Sequence, residues 1–200
     1  MSRIGPSGTI GRAQIRDMQI GNRTQIFIGR SVASTPGSVR EDVLVWVRRR
    51  YHQVDGYQEM ATILEERRVL LLRGLAGTGR FTTGLHLLDR VTSTGIFRVD
   101  GKKIVSDLGK GDFPKKTAGY VSELSRHDAI SLSEETLDKL RDVMEEQSAF
   151  CVLISDNDTR DLAVLGGYAM AYEPPNSAAL LRKHTAEGCW PTIRRTSNNG

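Results

Sequence analysis

The stretch RVLLLRGLAGTGRFTTGLHLLDRV, residues 68–91, decides how the chain is read. It opens as a short continuous apolar run, VLLLRG at 69–74, the pattern of a strand covered on both faces in a parallel sheet. Glycines at 74, 77 and 79 break the run, and RFTTGLHLLDRVT at 80–92 then sets Phe81, Leu85 and Leu88 at helical spacing. Strand, glycine loop and helix follow one another in the order a phosphate-binding loop requires.

The usual loop of this kind reads GxxxxGK[ST]. Its backbone N–H groups wrap phosphate oxygens, its lysine reaches the β- and γ-phosphates, and its last hydroxyl ligates Mg²⁺. Here Gly74, Leu75, Ala76, Gly77, Thr78 and Gly79 supply the loop, Arg80 takes the lysine position and Phe81 the hydroxyl position. Arginine keeps a permanent cation that can fork onto phosphate oxygens. Phenylalanine cannot ligate magnesium. Thr82 comes one residue late, and a step along a helix turns a side chain by ~100°, so it does not simply replace the lost ligand. It matches instead the second hydroxyl of a K-S/T-S/T ending, near the α-phosphate, with Thr83 behind it. Backbone groups bind anions whatever the side chains, whereas γ-phosphoryl transfer leans on the metal. Residues 74–83 are therefore expected to bind a nucleotide and hydrolyse it weakly or not at all. The alternative is a glycine turn that only carries the chain from strand to helix.

Outward from this centre, strands and helices alternate, which implies an α/β domain with a mainly parallel sheet. Upstream, STPGS at 34–38 is a linker signal, with Ser38 expected to cap a helix whose apolar side carries Val43, Val47 and Tyr51. A second helix is expected at 57–66. Downstream come GIFRVDG at 95–101, KKIVSDL at 102–108, AGYVSEL at 118–124, a helix capped by Ser133, and the strand AFCVLISD at 149–156. A short helix near 159–165 and a terminal one in SAALLRKHT complete the order. Residues 1–38 differ: Gly5, Gly8, Gly11, Gly21, Gly29 and Gly37 punctuate isoleucines at 10, 15 and 20, and TQIFIG at 24–29 reads as a short strand in a glycine-rich, β-prone arm.

Composition narrows the function. The net charge is +4, with basic doublets scattered among acids rather than gathered in one tract, which argues against nucleic acid as a partner. Cys151 and Cys189, the two cysteines, form no metal-spaced cluster. No apolar stretch approaches the ~20 residues of a membrane span and MSRIGPSG has no apolar leader, so a cytoplasmic protein is expected. His52, His86, His127 and His184 share no ligand spacing, and His86 reads as packed rather than as a base. No GxSxG elbow supports a hydrolase triad.

Together with TAGYVSEL, AFCVLISD and YEPPNSAALLRKH, the opening stretch resembles the nucleotide-binding core of AAA-like and STAND P-loop ATPases, in particular a degenerate GxxGxGR variant met in large actinobacterial regulatory proteins. The likeness spans about residues 40–185, and the glycine loop is its specific motif. It implies a three-layer P-loop NTPase fold at 39–188, between the arm at 1–38 and a tail at 189–200. In the family's order the Walker B strand precedes the sensor strand. AGYVSEL then brings Glu123 to the acidic position, and Asp156, Asn157 and Asp158 lie at the sensor strand's tip. A simpler reading makes CVLISD itself Walker B, with Asp156 at the magnesium. Either acid is thus a candidate for catalysis and metal binding. The resemblance also sets Tyr51 to Tyr57 beside the adenine. The expected function is a purine-nucleotide-binding regulatory module that takes ATP or ADP, with weakened Mg²⁺ dependence, weak ATPase activity at most, and a protein partner or self-association. The competing reading is a nucleotide-independent scaffold that retains the P-loop fold.

Overall fold

The apolar run at 69–74 forms a strand buried along its whole length, and the rest of the domain is arranged around it. The computed structural model describes residues 37–106, 113, 115–156 and 165–174. The chain divides into two units, Met1–Arg30 and Ser31–Gly200. The first lies outside the described residues, as do the TQIFIG strand, the helices expected near 159–165 and in SAALLRKHT, the tail, and Asn157 and Asp158.

The elements run β1 (Gly37–Ser38), α1 (Glu41–Arg50), α2 (Tyr57–Arg67), β2 (Val69–Gly74), α3 (Arg80–Val91), β3 (Ile96–Arg98), α4 (Gly101–Ser106), β4 (Gly119–Glu123), α5 (Arg126–Ser131), α6 (Glu134–Glu146), β5 (Phe150–Asp156) and β6 (Ala169–Ala171). The strands form one sheet in the order β1-β3-β4-β5-β2-β6. Every neighbouring pair is parallel except β1 with β3. This is a mixed α/β fold with a mostly parallel six-stranded sheet. β2 and β5 pair over six residues, from Val69 with Cys151 to Gly74 with Asp156, so the glycine loop and the tip of β5 leave the sheet side by side.

Strand alternation divides the interior into two cores. Leu70, Leu72, Ile96, Val121, Val152 and Ile154 pack with Leu44 and Val47 of α1, Met60 and Leu64 of α2, and Leu85 and Leu88 of α3. Leu71, Tyr120, Cys151 and Leu153 pack on the other face with Ile104 of α4, Ala129 of α5, and Leu137, Leu140 and Met144 of α6. α1 is tied to α3 by Arg48, whose Nε and Nη2 donate to the two carboxylate oxygens of Asp89, each at 2.7 Å.

One local expectation changes, and two segments gain their element type. Ser38 does not cap α1: it pairs with Phe97 in β1, and Arg40 begins the helix without a side-chain cap. KKIVSDL begins as helix α4. A helix absent from the sequence reading, α5, follows Ser125, whose Oγ accepts from the Asp128 N–H at 3.1 Å. No helix among the described residues is long and apolar enough to cross a membrane.

Candidate functional site

The loop between β2 and α3 needs two left-handed residues, Gly77 at φ 78° and Gly79 at φ 100°, and glycine adopts these without the Cβ penalty. Thr78 closes the turn by donating from Oγ1 to the Leu75 carbonyl at 2.7 Å. Leu75, Ala76, Gly77 and Gly79 are exposed. The helical ladder of α3 begins with Thr83 N–H donating to the Gly79 carbonyl at 2.9 Å, so the N–H groups of Arg80, Phe81 and Thr82 precede it. The first turn contains no acidic residue. The positive end of the helix dipole therefore faces the exposed loop without an internal counter-charge.

The back of the loop is closed by Tyr172, just beyond β6. Its N–H donates to the Arg73 carbonyl at 2.6 Å. A methyl group placed on Gly74 would come within 2.8 Å of the Tyr172 carbonyl oxygen, so glycine is required there by close approach rather than by φ. The Tyr172 hydroxyl lies 3.3 Å from the Thr78 carbonyl, to which it donates, and 3.2 Å from Thr83 Oγ1. Gly84 lets α3 approach β5, where an added methyl would sit 3.0 Å from Val152.

Among the expected site residues, the structure joins Arg80 and Asp156 directly. Arg80 is buried, its Nη1 donating to the Ser155 carbonyl and its Nη2 to Asp156 Oδ1 at 2.7 Å. Asp156 is exposed, so the pair sits at the surface end of a buried side chain. Asp156 is in register with Gly74, whereas Glu123 pairs with Ile154, two residues short of the tip and across β5 from the loop. Glu123 and Asp156 thus occupy different levels of the sheet edge.

The threonines diverge. Thr82 is half-exposed on the first turn, while Thr83 is fully buried and its Oγ1 receives the Tyr51 hydroxyl at 3.1 Å. Behind it, His86 stacks on Tyr51 with ring centroids 4.1 Å apart, and its Nδ1 lies 2.7 Å from the Tyr57 hydroxyl. Burial, then the nearby Arg90 charge, pushes the His86 pKa below its ordinary value. Burial likewise raises the phenols of Tyr51 and Tyr172. These rings brace α3 against the segment preceding β2.

Phe81 is half-buried against the core on the α3 side of the sheet. The guanidinium carbon of Arg98, the last residue of β3, lies 4.3 Å from the centre of its ring. Sequence reading missed Arg98 and the role of Tyr172, because Arg98 meets Phe81 and Tyr172 meets the loop only through sheet pairing. For the magnesium that the resemblance implies, the position of the motif's hydroxyl ligand is lost. Phe81 offers no oxygen, Asp156 is engaged by Arg80, and no group of three or more His, Cys, Asp or Glu among the described residues could hold a metal.

No protein-family model matches the chain, and no curated protein matches it significantly. Solved structures do match. One is that of C. elegans PCH-2, at 13% sequence identity and a TM-score of 0.37 over 74% of this chain. The match spans 46% of that protein's chain, less than half its length.

Proposed function

We propose that the chain contains a P-loop NTPase-like domain with helices layered on both faces of its sheet. In this reading the glycine loop binds the phosphates of a purine nucleotide, ATP or ADP, with hydrolysis weak or absent. The observation that carries this reading is the exposed turn at 75–79, with two left-handed glycines, feeding a twelve-residue helix whose first turn holds no acid. Gly74 admits Tyr172 behind the loop, Gly77 and Gly79 shape it, and the N–H groups of 80–82 face the phosphates. Arg80 exchanges Asp156 for a phosphate oxygen. Loss of the hydroxyl at position 81 removes the motif's metal ligand, which accounts for poor transfer chemistry. The nucleotide state then acts through contacts with a partner protein or a second copy.

The test is calorimetric titration of ATP and ADP into the wild type and Arg80→Ala, with and without Mg²⁺. Binding that weakens several-fold in the variant supports the reading. Flat heats at high nucleotide concentration sink it.

One observation favours the scaffold reading. Arg80 already has two internal acceptors, Ser155 and Asp156, and serves as a strut between α3 and β5 without any ligand. On that reading Arg80→Ala lowers stability and nothing else.

A further inference from the structure

We propose that Arg98, stacked on Phe81, is the built-in cation of the phosphate site and takes over the charge that a metal ion would supply. The inference rests on the nucleotide-binding reading above and names the group that makes such binding independent of magnesium.

Position 81 is where the motif keeps its metal-binding hydroxyl. Here it carries an aromatic ring, and the ring carries a guanidinium 4.3 Å from its centre. The placement follows from the sheet. β3 runs parallel to β4, with Arg98 in register with Val121 and hence level with Val152 and Leu70, four residues before Gly74, and its side chain spans to Phe81 on the first turn of α3. Ile96 lies in the core on the α3 side, and alternation returns Arg98 to that side two residues later. An arginine suits this seat better than a lysine would, because its planar, weakly hydrated head stacks on a ring and still presents N–H groups at its edge.

Electrostatics indicate what those groups are for. A cation beside a helix N-terminus is unfavourable on its own, and α3 has no acid in its first turn to offset it. Without a ligand, the charge of Arg80 is matched by Asp156. Among the described residues Arg98 forms no ion pair with a carboxylate, and its contact is the face of Phe81. The helix end, the open turn and Arg98 together leave positive potential for an anion to satisfy. The phosphate chain of a nucleotide is the ligand of that charge, and the metal-free form, which keeps its full negative charge, is the better fit.

The experiment titrates ATP and ADP, in EDTA and in Mg²⁺, into the wild type, Arg98→Ala, Arg98→Lys and Phe81→Leu, with thermal melts to verify folding. The wild type should bind in EDTA at least as tightly as in Mg²⁺. Arg98→Ala should lose about tenfold in EDTA, the range for one charge-assisted hydrogen bond, with Arg98→Lys and Phe81→Leu between it and the wild type. If Arg98→Ala binds like the wild type in EDTA, or if the wild type binds only with Mg²⁺, the role given to Arg98 is wrong while nucleotide binding stands. If the folded wild type binds no nucleotide under either condition, the nucleotide reading fails and Arg98 falls with it.

Discussion

Helices α3 and α6 are nearly equal in length, 12 and 13 residues, and begin in opposite ways. α6 opens on Ser133, whose Oγ accepts from the Thr136 N–H at 3.2 Å, and places Glu134 and Glu135 in its first turn. Its orphan donors and dipole are answered from within the chain. α3 opens on a left-handed glycine with no side-chain cap, has no acid in its first turn, and begins with Arg80. Both helices bury an apolar face on the sheet, so packing alone would have allowed the same N-terminus on each. The difference is the one that the proposed nucleotide-binding reading requires: α6 is closed at its start from within the chain, and α3 is not.

The largest effect should come from filling the space behind that open start. Gly74→Ala would push a methyl group against the Tyr172 backbone, and overpacking of this kind costs about 3 kcal/mol. Gly77→Ala meets nothing within 4 Å and suffers only its positive φ, about 1 kcal/mol. Chemical denaturation of both variants compares the packed rear of the loop with its free front. Equal losses would mean that Tyr172 does not hold the loop.

A second experiment exchanges the characters of the two helices. Thr82→Glu gives α3 the first-turn acid that α6 already has. It should stabilise the fold by about 0.5 kcal/mol and weaken nucleotide binding roughly tenfold or more, since a carboxylate would then face the phosphates. Ser133→Ala should do the converse, costing about 1 kcal/mol of stability and leaving binding untouched. Denaturation paired with calorimetry separates the two outcomes. A Thr82→Glu protein that binds ATP as the wild type does would break the comparison.

What the sequence disclosed of this contrast follows from the range of each interaction. The span 69–91 was readable because strand, loop and helix are set by local periodicity and by glycines whose backbone angles few other residues tolerate. The Ser133 cap is equally local. Ser38 looked like the same signal, but its backbone is taken by β3, a partner nearly sixty residues away in sequence. Ser125 and Asp128 carried a local signature for α5 that went unread. The partners of Arg80 could not be foreseen, because Asp156 reaches it only through the pairing of β2 with β5. Arg98 is similarly hidden: nothing in IFRVD indicates that its guanidinium will lie on Phe81. The motif specified the loop, while tertiary pairing chose the charges around it.

The smallest effect concerns how far along α3 the positive charge extends. His86 lies a turn and a half beyond Arg80, and its neighbours in the fold are Tyr51, Tyr57, Arg90 and Asp89. Burial first, then Arg90, lowers its pKa from 6.5, with Asp89 opposing. A lowered folded-state pKa means that the unfolded chain binds the extra proton more readily. Stability therefore rises with pH through the window from the folded value to 6.5, levels off above it, and is lost as the pH falls below 6.5. In its Nε2–H tautomer the neutral ring accepts the Tyr57 hydroxyl at Nδ1, and protonation would remove that acceptor while adding a second cation beside Arg90. Denaturation of the wild type and His86→Gln at pH of about 5 and about 7.5 should show a shallower loss for the variant. If the two proteins lose stability in parallel, His86 is not held neutral by the fold.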